Sequence, residues 1–136
     1  TANTTYQRYF NTSESGPIVD FEGDRIPNTP YFFGNGAAEY KREDVFKKQA
    51  RLSVFWNARY VHAFFVSWES AGVQQFKDQV PDQTSHNVGL THRMPIKKIQ
   101  NALTLEVQNL FNAKIFDLFG VQRPGRAFYI KSTIQF

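Results

Sequence analysis

Residues 51–60 read RLSVFWNARY, and this stretch decides the fold. Leu52, Val54, Trp56, Ala58 and Tyr60 occupy the even positions, while Arg51, Ser53, Phe55, Asn57 and Arg59 occupy the odd ones. Separation with period two describes a strand with one apolar and one polar face. The even register continues through Phe64, Val66 and Trp68, which predicts a single strand approaching 18 residues. Ordinary strands run to about 5–6 residues. Strands of this length are commonest in large barrels that rise above a membrane.

The pattern recurs on both sides. Downstream, Phe128, Ile130, Ser132, Ile134 and Phe136 alternate with Ala127, Tyr129, Lys131, Thr133 and Gln135. Leu103, Leu105 and Val107 alternate with Thr104, Glu106 and Gln108. Within Thr84–Met94, Val88, Leu90 and Met94 oppose Ser85, Asn87, Thr91 and Arg93. Within Tyr31–Tyr40, Phe32, Gly34, Gly36, Ala38 and Tyr40 oppose Phe33, Asn35, Ala37 and Glu39. With a weaker candidate at Thr4–Phe10, the reading is all-β: about six antiparallel strands and no helix. Connections alternate between short charged stretches, Lys41–Lys48 and Pro95–Gln100, and longer ones, Asn11–Pro30, Glu69–Gln83 and Asn109–Arg126. Short turns at one end and long loops at the other are the layout of an outer-membrane barrel.

Composition agrees. The 136 residues include 14 Phe, 6 Tyr and 2 Trp, no Cys and a net charge of +4. A chain without Cys has no disulfide scaffold, thiolate zinc site, thiol nucleophile or iron–sulfur centre. A mean hydropathy of −0.47 argues against a bundle of membrane helices but not against a barrel with a polar lumen. Leu52–Trp68, the most apolar stretch, is interrupted by Asn57, Arg59 and His62, so no spanning helix is predicted. The polar stretch Thr1–Phe10 has no signal-peptide character.

Four segments, in order, carry a family resemblance. GDRIPNTP (Gly23–Pro30), VPDQTSHNVGLTHRMP (Val80–Pro95), VQNLFNAKIFD (Val107–Asp117) and QRPGRAFYIKSTIQF (Gln122–Phe136) resemble the last strands of TonB-dependent outer-membrane receptors. Asn109 and Asn112 suit a left-handed strand end, and in Pro124–Gly125 a fixed φ followed by a permitted positive φ suits the turn into the last strand. By the resemblance, 1–136 is the C-terminal part of a barrel of about 22 strands, without its plug domain and earlier strands. Six strands are too few to close a membrane barrel, which needs about eight. An open sheet would leave backbone groups unpaired in lipid, so the chain is expected to be a piece of a larger wall.

The resemblance implies a place in the outer membrane of a Gram-negative cell, with the C-terminus periplasmic. It further implies active uptake of a scarce nutrient: an iron–siderophore, haem, cobalamin or a glycan. Implied partners are the remainder of the receptor, the TonB system acting through the plug, membrane lipid and lipopolysaccharide, and the barrel-assembly machinery. Phe128, Ile130, Ile134 and Phe136 are similar to the C-terminal assembly signal of such barrels. Arg51, Asn57, Arg59, Glu106, Gln108 and Lys131 would face the lumen. Trp68, Glu69, Gln74 and His86 are external-loop candidates for ligand contact. Tyr40 and Phe46 at one end, with Trp56, Tyr60 and Trp68 further up, suit interfacial girdles.

Enzyme chemistry is not expected. Asp78 and Asp82 lie in a loop, no Ser/His/Asp set shares a strand, and no Gly-rich phosphate loop occurs. His62, His86 and His92 lack metal-ligand spacing, although His86 and His92 share a strand face; no cofactor or metal is expected. A pI near 9.4 with many aromatics invites a nucleic-acid reading. Lys41, Arg42, Lys47, Lys48, Lys97 and Lys98 cluster in the short turns instead of interleaving with aromatics, so solvated turns are preferred and no nucleic-acid partner is expected. The alternative from another class is a soluble all-β module binding oligonucleotide or carbohydrate.

Overall fold

The computed structural model describes residues 1–71, 79–96, 99–117 and 121–135. Gln74 and Phe136, together with Asp78, Lys97 and Lys98, lie outside the described residues. The described chain is all-β. It runs β1 (Ala2–Tyr6), β2 (Phe32–Glu43), β3 (Arg51–Val61), β4 (Phe64–Phe65), β5 (Gln79–Val80), β6 (Gln83–Ile96), β7 (Ile99–Gln108) and β8 (Ala127–Gln135). A single 3-10 turn, Val19–Phe21, interrupts the first long loop. Among the described residues no helix is long and apolar enough to cross a membrane.

One antiparallel sheet takes six strands in the order β1-β2-β3-β6-β7-β8, and β4 and β5 form a separate two-stranded ribbon. The sheet is open, with β1 and β8 at its edges. Its main strands have 12, 11, 14, 10 and 9 residues from β2 to β8. The weak candidate Thr4–Phe10 begins earlier and stops at Tyr6. Lys41–Glu43, read as turn, extends β2 and pairs with Arg51–Ser53, so the first short connection is only 44–50.

Because paired residues point to the same side, the register fixes both faces. Tyr40, Val54, Leu90, Leu105 and Ile130 form one continuous row across five strands. Ala38, Trp56, Val88, Val107 and Phe128 form the next. The opposite face carries Glu39, Phe55, Gly89, Glu106 and Tyr129, and beside them Lys41, Ser53, Thr91, Thr104 and Lys131. The Thr91 and Thr104 hydroxyls meet at 2.9 Å there.

The apolar face has no cover. Every member of the first row is exposed, from Leu90 at 37% to Ile130 at 78%. Among the described residues the buried apolar set is only Ala50, Val61, Phe64 and Val80, and no large side chain is fully buried. The accessible surface is 10018 Å², against about 7300 Å² for a compact monomer of this mass.

The long strand expected over residues 51–68 breaks after Val61. Beyond Val61, which pairs with Gln83, the chain leaves the sheet, and Phe64 instead pairs with Val80 in the ribbon. The break changes the face on which the next residues fall. Phe64 and Val66 share the even register of Trp56, yet they pack with Val61 and Phe33 from the polar face. A break of two residues frees the chain from the alternation, and burial then decides where the side chains go.

Candidate functional site

The described parts of the three long connections gather at one end of the sheet, where Phe64, Val66 and Phe116 pack on the polar face and Phe111 meets His86 on the other. Val61, Phe64 and Val80 form a small core there, flanked by Phe33, Val66 and Phe116. Each connection thus contributes to one apolar seam, or is tied to it by hydrogen bonds.

The first loop is pinned to the second through the GDRIPNTP stretch. Asn28, with φ 58°, donates its backbone N–H to the Phe65 carbonyl at 2.8 Å and its Nδ2 to the Val66 carbonyl at 3.3 Å. Asp24 Oδ2 accepts from Ser70 twice, from its backbone N–H at 2.7 Å and its hydroxyl at 2.5 Å. Arg25 lies 4.6 Å from the centre of the Tyr31 ring and 3.8 Å from Glu69. Trp68 stacks on Phe21 at 5.2 Å, with the rings 2° from parallel. Trp68, read from the sequence both as the end of the long strand and as a loop candidate, lies outside the strands with Glu69, and both are engaged in holding the first two loops together.

The third loop is organised by asparagines. Asn109 and Asn112 adopt φ of 50° and 55°, the left-handed conformation their sequence position suggested. Asn109 Oδ1 accepts from Ala113 N–H, and its Nδ2 donates to the Ala113 carbonyl. Asn112 Oδ1 accepts from the backbone N–H of Arg126 at 2.9 Å, at the entry to β8. Gly125 is not in the positive-φ region, contrary to the expectation for this turn. Its role is space: a Cβ there would lie 2.5 Å from Asn112 Oδ1. Gln83 Oε1 accepts from Phe116 N–H at 2.6 Å and anchors the loop to β6.

His86 is a correction to the loop assignment. It lies inside β6 on the apolar face, stacked 5.7 Å from Trp56 and edge-on to Phe111 at 5.1 Å. His92 shares that face six positions further on, roughly 20 Å away along the strand, too far to share a metal. Among the described residues no group of three His, Asp or Glu side chains is placed to hold a metal ion.

The six polar residues singled out by alternation all lie on the polar face. Arg51 Nε bonds Glu43 at 2.5 Å, and Gln108 Nε2 donates to Glu106 at 2.9 Å. Lys131 joins Thr91 and Arg93 around a cavity of about 420 Å³ towards the turn end. Arg59 occupies the loop end. It lines a cavity of about 300 Å³ with Gln83, Ser85, Phe116, Asp117 and Arg123. A second, of about 390 Å³, adds Asn35, Asn57 and Asn87, and shares Arg59, Ser85 and Arg123 with the first. Arg123 and Gln83 escaped the sequence reading because a loop arginine and a strand-end glutamine carry no pattern of their own.

Phe128, Ile130 and Ile134 lie in β8 and are exposed on the apolar face. Comparison with family models, with curated proteins and with solved structures returned no match.

Proposed function

We propose that this chain is a C-terminal wall segment of a TonB-dependent receptor in the Gram-negative outer membrane, with its C-terminus in the periplasm. On this reading it takes part in energised uptake of a scarce nutrient, such as an iron–siderophore, haem, cobalamin or a glycan. The observation that carries the reading is the uncovered apolar face: five adjacent strands expose one unbroken row, Tyr40, Val54, Leu90, Leu105 and Ile130, with exposed Trp56 and Phe128 beside it. Water penalises such a surface by its area, whereas lipid accepts it.

Strand length and end asymmetry support the same reading. Spanning strands need about 9–11 residues, and each of β2, β3, β6, β7 and β8 has at least 9. Phe46, at 91% exposure within the turn 44–50, suits one interface, and exposed Phe111 with half-buried Tyr60 suits the other. The open edges of β1 and β8 would be paired by further strands of the wall, since lipid tolerates no unpaired backbone. The resemblance of the four segments supports the specific identity. In that identity the loops capture ligand, the plug is the element on which TonB pulls, and this segment provides wall and vestibule. Arg51, Asn57, Arg59, Glu106, Gln108 and Lys131 would then line the lumen or meet the plug.

Extraction and gel mobility test it. The protein should partition with outer membranes, need detergent for solubility, and migrate faster on a denaturing gel before heating than after. A protein soluble without detergent and showing no heat-dependent shift is the soluble all-β module instead.

A further inference from the structure

We infer that the loop end of the polar face binds an organic anion, with its oxyanion held by Arg59 and Arg123 and its apolar body against Phe64 and Phe116. The cavity of about 300 Å³ has an apolar floor of Val61, Phe64, Ile115 and Phe116. That volume lies at the lower end of small-molecule sites. Its polar groups are mostly donors.

Arg59 and Arg123 come from β3 and from the loop before β8, yet both line this cavity and the one beside it. Neither belongs to an ion pair among the described residues, where the pairs are Arg25–Glu69, Lys41–Glu39 and Arg51–Glu43. Asp117 also lines the cavity, but its Oδ1 accepts from Val121 N–H at 3.0 Å within its own loop. Two guanidinium groups against one carboxylate leave the cavity positive. Guanidinium forks match carboxylate geometry through paired hydrogen bonds.

Gln83 adds a donor to the same wall. It is 6% exposed, and its Oε1 is occupied by Phe116 N–H. Its Nε2 has no hydrogen-bond partner among the described residues, although the side chain lines the cavity. Among the described residues the enclosed side-chain atoms without a partner are Asn28 Oδ1 and His86 Nδ1 elsewhere, so the Gln83 amide is open to the cavity, where it can donate to a ligand oxygen. Ser85 adds a hydroxyl on the same wall. The apolar floor favours an aryl or alkyl carboxylate over inorganic phosphate. The site belongs to this chain; only its use in nutrient capture rests on the receptor reading.

Binding of 2-naphthoate to the detergent-solubilised protein, with protein-free micelles as the blank, tests the inference. The neutral 2-naphthylmethanol and inorganic phosphate serve as comparisons. Naphthoate should bind at least tenfold more tightly than either, on the scale of hydrogen bonds to a charged group. Arg59→Gln and Arg123→Gln should each weaken naphthoate about tenfold or more without changing naphthylmethanol, and Arg93→Gln at the opposite end should change nothing. Equal affinity for acid and alcohol, tighter binding of phosphate, or indifference to both arginine substitutions overturns the proposal. The acid–alcohol comparison needs no variant, so a misfolded substitution leaves it decisive. Charge-selective binding by a protein without a heat-dependent gel shift would refute the receptor reading and keep the anion site.

Discussion

Gly125 and Asn112 are locked together across the last long loop. A Cβ on Gly125 would lie 2.5 Å from the Asn112 oxygen that accepts the Arg126 N–H, so the missing side chain makes room for the bond that starts β8. Asn112 has little freedom to retreat, being short and already in a left-handed conformation. Gly125→Ala should destabilise by about 1–3 kcal/mol, read as a lower urea midpoint in detergent. Adding Asn112→Ala should cost less in that background than alone, because the shared bond is already lost. Full additivity would show that the two residues act separately.

A second glycine serves an aromatic ring. Gly89 pairs with Phe55 on the polar face, and the ring lies over the position a Cβ would take. Gly89→Val should cost about 1–3 kcal/mol through overpacking. Combining it with Phe55→Ala should recover most of that loss. No recovery in unfolding experiments would place the cost in the backbone instead.

The two faces differ in their surroundings if the sheet is a membrane wall. Leu105 lies in the middle of the exposed row, and Gln108 on the same strand points to the other face. Leu105→Lys should cost about 2–4 kcal/mol in lipid vesicles, while Gln108→Lys, exposed on the polar face with Glu106 at hand as a partner, should stay within about 0.5 kcal/mol. In a water-soluble module the exposed Leu105 would accept lysine equally well, so equal effects would reject the membrane reading.

Asp24 joins the first two long loops through Ser70. Asp24→Ala removes both hydrogen bonds, each to a charged acceptor. Cleavage of the loop after β4 by added protease should accelerate roughly tenfold, with the sheet itself intact. An unchanged rate would mean that the Phe21–Trp68 stack, the Asn28 hydrogen bonds and the Arg25–Glu69 pair hold the loops without Asp24.

The end of β8 carries the proposed assembly signal. Phe136→Lys should lower the fraction of protein assembled in the outer membrane, measured by fractionation and heat-dependent gel shift. Normal assembly would remove that signal from the receptor reading.

The sequence by itself determined the period-two alternation, and with it which residues share a face. Side-chain direction in a strand is a local property of the backbone, so Leu52 to Tyr60 announce their face without knowledge of neighbours. The same is true of Asn109 and Asn112, whose side chains make a left-handed turn acceptable wherever it occurs. Tertiary structure decided everything that depends on partners distant in sequence. The apparent strand beyond Val61 broke because Phe64 found Val80 and a buried seam. Gly125 turned out to be required for its size beside Asn112 and not for its φ. His86 moved from loop candidate to a place between Trp56 and Phe111. Arg59 and Arg123 meet around one cavity only because the last loop folds back over the sheet. Alternation is written along the chain; cavities are made by segments that meet in space, and no local pattern records which segments will meet.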